Sequence, residues 1–187
     1  VAKMMGTTVT AVAFNSTDTE ILGNYGVSKV LNVKDESLTT FNADAYAASI
    51  AQAVISTDTK VVILSSSTDT KYLAPLLAAK LSAGYAPNVV QAPESTSPFM
   101  VKRTAFSNKG FAHTQIDTDI KIIGVSNNAF GAHESKTDIT IEEISSTSDE
   151  NTNNTKSVEI DKVVGKATIA DADIVVSAGR GLKGPEN

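Results

Sequence analysis

Between Ser28 and Ser82 the chain switches repeatedly between strand-like and helix-like patterns, and that alternation limits the folds open to it. Ser28 to Val33 is a short apolar run of strand type. Asn42 to Ile55 is alanine-rich and helical, with Asn42 placed to cap its first turn. Lys60-Val-Val-Ile-Leu-Ser65 is a continuous apolar run, as a buried strand carries. Asp69 to Ser82 is a second helix, with Leu73, Leu76, Leu77 and Leu81 along one side. Strand, helix, strand, helix in succession predicts an α/β domain with a parallel sheet and helices on both faces.

The flanks extend this pattern. Val1 to Gly6 has the character of a last helical turn with Gly6 as its stop, and Thr8 to Phe14 follows as a strand. A helix end feeding a buried strand implies an earlier strand and most of a helix upstream. Asp18 to Gly23 suggests a short helix. After Gly84 come short strands without helices between them: Val89-Val90, Phe99 to Thr104, Ala112 to Ile116 and Ile120 to Val125. Ser107 to Gly110 and Asp117 to Asp119 supply turn chemistry. Ile139 to Ile144 alternates as a half-buried strand does. The polar run Ser145 to Lys156 is expected to be a solvated loop or hairpin tip, and Lys156 to Ala170 a last strand and linker. A domain over 1–160 follows, with 161–187 as linker and the start of a second domain.

Composition narrows the function. The chain has 187 residues and a net charge of −5, with Lys102-Arg103 the nearest thing to a basic patch, so it lacks the electrostatic footprint of a nucleic-acid binder. No apolar stretch approaches the roughly 20 residues that span a bilayer, and no secretory signal is legible. With no cysteine among these residues, disulfides, thiolate metal sites and a cysteine nucleophile are excluded; a reducing cytosol is compatible with that usage.

The last segment carries the most chemistry. Ile174-Val175-Val176 runs into Gly179-Arg180-Gly181-Leu182-Lys183-Gly184, a G-x-G-x-x-G spacing. Such a turn after a strand places backbone N–H groups against a pyrophosphate when a helix follows, and Arg180 and Lys183 add positive charge. A glycine turn without a ligand is the alternative. Ser65-Ser-Ser-Thr68 lies after a strand and before a helix, where phosphates bind in open parallel sheets; simple capping of the helix is the alternative. His113 and His133 show no metal-ligand spacing, and Glu142-Glu143 and Asp149-Glu150 have the character of solvated faces.

Several segments together resemble one family. Asp173 to Asn187 is similar to the V-V-S-G-G-R-G-L-K-x-x-E-N stretch of electron transfer flavoprotein alpha subunits. Tyr72-Leu-Ala-Pro-Leu-Leu-Ala-Ala-Lys-Leu-Ser-Ala-Gly84 resembles their D-L-A-P-R-L-A-A-R-L-G-A-G helix, and Tyr25 to Leu31 their Y-G-A-D-K-V-L strand. Val101 to Phe106 and Lys109 to Ala112 are similar to their K-R hairpin. The chain departs from the pattern at Leu76, Ser82, Ala178 and Val125 to Phe130.

The resemblance implies a nucleotide alpha-hydrolase-like α/β domain with added β-hairpins, acting as the scaffold that holds a beta subunit. It implies a heterodimeric electron carrier rather than an enzyme, taking electrons from acyl-CoA dehydrogenases and related flavoenzymes of fatty acid β-oxidation to a membrane quinone oxidoreductase. It implies FAD in a domain beyond Asn187, with Arg180 the one cofactor contact that maps onto this chain, no catalytic or metal site, and these residues alone expected to be flavin-free. The implied location is the bacterial cytoplasm, or the mitochondrial matrix in a eukaryote. A stand-alone adenine-nucleotide-binding regulatory module, built on Ser65 to Thr68, is the alternative function.

Overall fold

Ala2–Met5 forms a single helical turn (α1), stopped by Gly6 in the left-handed region at φ 63°. The structure is a computed structural model that describes residues 1–146, 155, 159, 165, 169, 172 and 174–184. The chain divides into two units, Val1–Ser157 and Val158–Asn187.

In the first unit α1 leads to β1 (Thr10–Phe14), and a 3₁₀ segment over Thr19–Asn24 leads to β2 (Lys29–Lys34). The short helix expected at Asp18 to Gly23 is thus 3₁₀. The helix α2 (Ala43–Ser56) begins as expected, with Asn42 Oδ1 accepting from Ala45 N at 3.1 Å. β3 (Val61–Ser65) and α3 (Thr68–Leu81) follow. Helix α2 carries the chain back over the sheet between β2 and β3, and α3 does the same between β3 and β4 (Gly84–Val89). β6 (Phe99–Ala105) and β7 (Gly110–Gln115) form a hairpin edged by the two-residue β5 (Ser95–Thr96). β8 (Lys121–Val125) and β9 (Thr140–Ser145) follow.

The strands sort into two ladders. One has the order β1-β2-β9 and is wholly parallel. The other has the order β3-β8-β4-β6-β5, with β7 on β6; its β3, β8 and β4 are parallel and the hairpin is antiparallel. The mixed α/β architecture with parallel strands and added hairpins is the expected one.

Helices α2 and α3 both cover one face, not the two faces expected, and there Ala47, Ile50, Val54, Leu73 and Leu77 pack against Val62 and Ile122. The next residue, Ile123, points the other way and packs with Ala86, Val89, Phe99, Val101 and Ile116, where Val1 also rests. Leu76 and Leu81 join Leu73 and Leu77 in the first cluster, so the leucine side of α3 is the buried side.

Three strand expectations change. β4 starts at Gly84, five residues before the expected Val89. Pro87 and Asn88 disguise it, and both lie where the pairing with β8 shifts register, with Asn88 at φ 55°. A bulge is one of the few places a strand tolerates proline. β9 was expected to be half-buried, but it is an edge strand whose residues are exposed except Ile144. In the second unit Ile174, Val175 and Val176 form no strand and are 82%, 54% and 94% exposed. An apolar run becomes a strand only where neighbours take its backbone groups and a layer covers its side chains; the described residues of that unit supply neither. The polar run after Ser146 and the strand expected from Lys156 to Ala170 lie outside the described residues, single positions apart.

Ser82 ends α3 in the left-handed region, φ 50° and ψ 39°, and it is exposed. A side chain there is strained by roughly 1 kcal/mol, which glycine relieves. Ser82→Gly is expected to raise stability by about 0.5–1 kcal/mol, net of the extra freedom glycine gives the unfolded chain. A higher urea midpoint at unchanged slope is the sign of it; an unchanged or lower midpoint refutes it.

Candidate functional site

The glycine loop of the second unit is open. Arg180–Leu182 is one 3₁₀ turn, closed by Leu182 N donating to Gly179 O at 3.1 Å and Lys183 N donating to Arg180 O at 3.3 Å. Arg180, Gly181, Leu182 and Lys183 are all exposed. A Cβ built at Gly179 or Gly181 meets nothing within 4 Å among the described residues, so no described neighbour requires these glycines. What the loop offers is bare backbone flanked by a guanidinium and an ammonium. That donor set suits the oxygens of a phosphate, which arginine binds through two parallel hydrogen bonds and lysine as a point charge. The loop therefore fits the approach of a phosphate-bearing cofactor such as FAD, while one exposed turn lacks the concave, convergent surroundings that hold a whole cofactor.

In the first unit the carboxyl ends of β3, β8 and β4 meet, the position where open parallel sheets bind ligands. A cavity of about 490 Å³ lies there, lined by Leu64, Ser65, Val89, Ile123, Val125 and Phe130 among others. Its lining contains no charged residue. The serine loop above it is already committed. Ser66 N donates to Val125 O at 2.8 Å, and Ser66 Oγ accepts from Asn88 N at 3.3 Å. Ser67 caps α3 by accepting from Thr70 N at 3.3 Å. Capping is thus the role the structure gives Ser67, and no charged side chain lines the cavity beneath the serine loop. On β4, burial raises the Tyr85 hydroxyl above its ordinary range.

Several of the other titratable groups form pairs at the surface. His113 Nδ1 lies 3.0 Å from Glu94 Oε1 across the hairpin. Glu142 pairs with Lys29 at 2.7 Å, joining β9 to β2 at their surface. Lys102 Nζ sits 4.6 Å from the centre of the Phe111 ring. Among the described residues no cluster of His, Cys, Asp and Glu is arranged to hold a metal ion. Asp149 and Glu150 lie outside the described residues. The sequence contained no sign of the His113–Glu94 pair, because only the fold of the hairpin against the residues before β5 brings them together.

The family model described as electron transfer flavoprotein domain matches residues 1–164. The chain belongs to that family. It is similar to the electron transfer flavoprotein subunit alpha of Syntrophomonas wolfei, 26% identical over 196 aligned positions, covering 99% of this chain and 60% of the relative. It is also similar to the subunit alpha of Bacillus subtilis, 29% identical over 170 positions, covering 87% of this chain and 50% of the relative. The chain thus spans between half and three fifths of the length of these curated relatives. Within the electron transfer flavoprotein family match lie the α/β unit, the serine loop and the apolar cavity; the Gly179–Lys183 loop lies beyond residue 164. Among the described residues no helix is long and apolar enough to cross a membrane.

Proposed function

We propose that this chain is part of the alpha subunit of a heterodimeric electron transfer flavoprotein. Its first unit serves as the scaffold that meets the beta subunit, and FAD is held in the longer polypeptide. The electrons come from acyl-CoA dehydrogenases and related flavoenzymes of fatty acid β-oxidation and leave to a quinone oxidoreductase. The working place is the bacterial cytoplasm, or the mitochondrial matrix in a eukaryote. In this reading the chain carries electrons and does not itself catalyse a reaction. The observation that carries the reading is the open, cationic Gly-Arg-Gly-Leu-Lys loop in a chain matched by this family from residue 1 to 164. When bound, FAD supplies reversible storage of one or two electrons. Arg180 supplies charge-assisted hydrogen bonds that fix the position of the cofactor's anionic part, and the glycines on either side leave its approach unobstructed.

The test uses the full-length polypeptide purified with its cognate beta subunit. A flavin absorbance spectrum at one FAD per heterodimer is expected. A charge-assisted hydrogen bond contributes about 1.5–3 kcal/mol, so Arg180→Gln is expected to weaken FAD binding roughly 10- to 150-fold, with Arg180→Lys between the two. A complex that purifies colourless and refuses added FAD overturns the functional reading. Normal flavin affinity in Arg180→Gln removes the role of this residue alone.

A further inference from the structure

The carboxyl end of a parallel ladder is where an open sheet leaves room for a ligand. At that end of β1-β2-β9, side-chain amides take up the backbone instead. Asn15 leaves β1 at φ 49°. Its carboxamide closes a two-bond ring on Asp35, with Nδ2 donating to Asp35 O at 2.7 Å and Oδ1 accepting from Asp35 N at 3.0 Å. Asn32, buried on β2, does the same for Ser16. It donates to the Ser16 carbonyl at 2.8 Å and accepts from the Ser16 N–H at 3.3 Å. Lys34 Nζ shares that carbonyl at 3.2 Å. These backbone groups are thus spent on closing the end of the ladder.

The same end grips the chain that leaves β9. The register pairs Ser145 with Lys34, which sets Ser146 beside Asp35. The Asp35 carboxylate accepts from the Ser37 hydroxyl at 2.7 Å and the Ser37 amide at 2.9 Å, and the Ser146 hydroxyl adds a weaker bond; together they hold this carboxyl below its ordinary range. Ser146 Oγ also lies 3.4 Å from Ser49 Oγ, which is buried on α2. Asn42 makes the second grip. Its Oδ1 caps α2 through Ala45 N, while its Nδ2 donates to Thr155 O at 2.7 Å, 113 positions away in sequence. Aspartate caps a helix as well but has no N–H to offer. The amide is what lets one side chain start a helix and hold a distant segment.

We propose that the amino-terminal half of α2 is a tether: Asn42 clamps Thr155 while Asp35 and Ser49 hold Ser146, and these contacts fix the point from which the polypeptide continues to the second unit. Asn42 is then a positioning residue for the Gly179–Lys183 loop, acting on it only through the chain it holds. Gripping Thr155 as well as Ser146 limits how far the chain between the units can reach. The carboxyl end of this ladder serves as an attachment point and not as a ligand site.

The experiment uses the full 187-residue chain and trypsin, whose cut after Lys156 reports release of the adjoining Thr155. Asn42→Asp keeps the cap and removes the donor. Its urea midpoint is expected to match or exceed that of the parent, since a carboxylate suits a helix N-terminus. Cleavage after Lys156 is expected to quicken about 2- to 10-fold, the worth of one such hydrogen bond. Cleavage after Lys109, in the turn between β6 and β7, is expected to stay unchanged. Asn42→Ala is expected to quicken the cut after Lys156 similarly and to lower the midpoint as well, because the cap is lost. The chain has no cysteine of its own, so spin labels on Gln52→Cys and Glu159→Cys, both exposed positions, give a second readout. The distribution of distances between them is expected to broaden in Asn42→Asp. An equal rate after Lys156, or an unchanged distribution, overturns the proposal. So does equal quickening after Lys109 and Lys156, which means a general loosening of the first unit and not release of a tether.

Discussion

Replacing Leu77 by alanine is expected to cost the first unit about 2–5 kcal/mol. Leu77 is fully buried on α3, in the cluster where α2, α3 and the sheet residues Val62 and Ile122 meet. Truncation removes the transfer free energy of the lost carbons and leaves a cavity. The layer around it is held by two helices and a β-ladder and collapses only partly. Against a domain stability of about 5–15 kcal/mol the loss is large enough to leave a measurable unfolded population. Urea unfolding followed by circular dichroism checks it, with the midpoint falling at constant slope. Leu76→Ala, one residue along at a half-buried position, is expected to cost clearly less. A loss under about 1 kcal/mol at Leu77 contradicts the packing described.

Gly84→Ala is expected to destabilise by about 1–3 kcal/mol, although the change is a single methyl group. A Cβ at Gly84 stands 2.5 Å from Ile116 Cγ2 and 2.9 Å from Thr118 Oγ1, closer than such atoms approach. Neither neighbour is free to yield. Ile116 is buried and β-branched, hence stiff about its first side-chain torsion. Thr118 Oγ1 accepts from Gly84 N at 2.7 Å and donates to Ile120 O at 2.7 Å, so turning it away breaks two hydrogen bonds. Gly110→Ala is the control, because a Cβ there meets nothing within 4 Å; its effect is expected to stay within about 0.5 kcal/mol. Equal effects at the two glycines remove the steric account.

Local chemistry was largely legible in the residues. Asn42 announced its cap, Gly6 its helix stop, and the leucines of α3 their common side, because each rests on contacts within one or two turns of chain. β4 was half hidden, since Pro87 and Asn88 read as loop residues until pairing with β8 places them at a bulge. The Ile174 to Val176 run shows the opposite error: an apolar pattern is necessary for a strand but does not supply the neighbour that makes one. For the candidate site, the composition of the Gly179–Lys183 loop pointed to an anion. Its openness and the absence of crowding at its glycines came only from the structure.

The α/β class, the start and end of the main helices, the hairpin after Phe99 and the resemblance that the family match bears out were all legible in the residues alone. Long-range pairing alone places β8 between β3 and β4, returns β9 to pair with β2 through Lys29 and Thr140, and leaves the described edges of β1 and β3 lining one cavity. The division has a physical cause. Periodicity and capping are encoded within a few neighbouring residues. The order of strands depends on which free edge distant segments satisfy, and no local pattern carries that information.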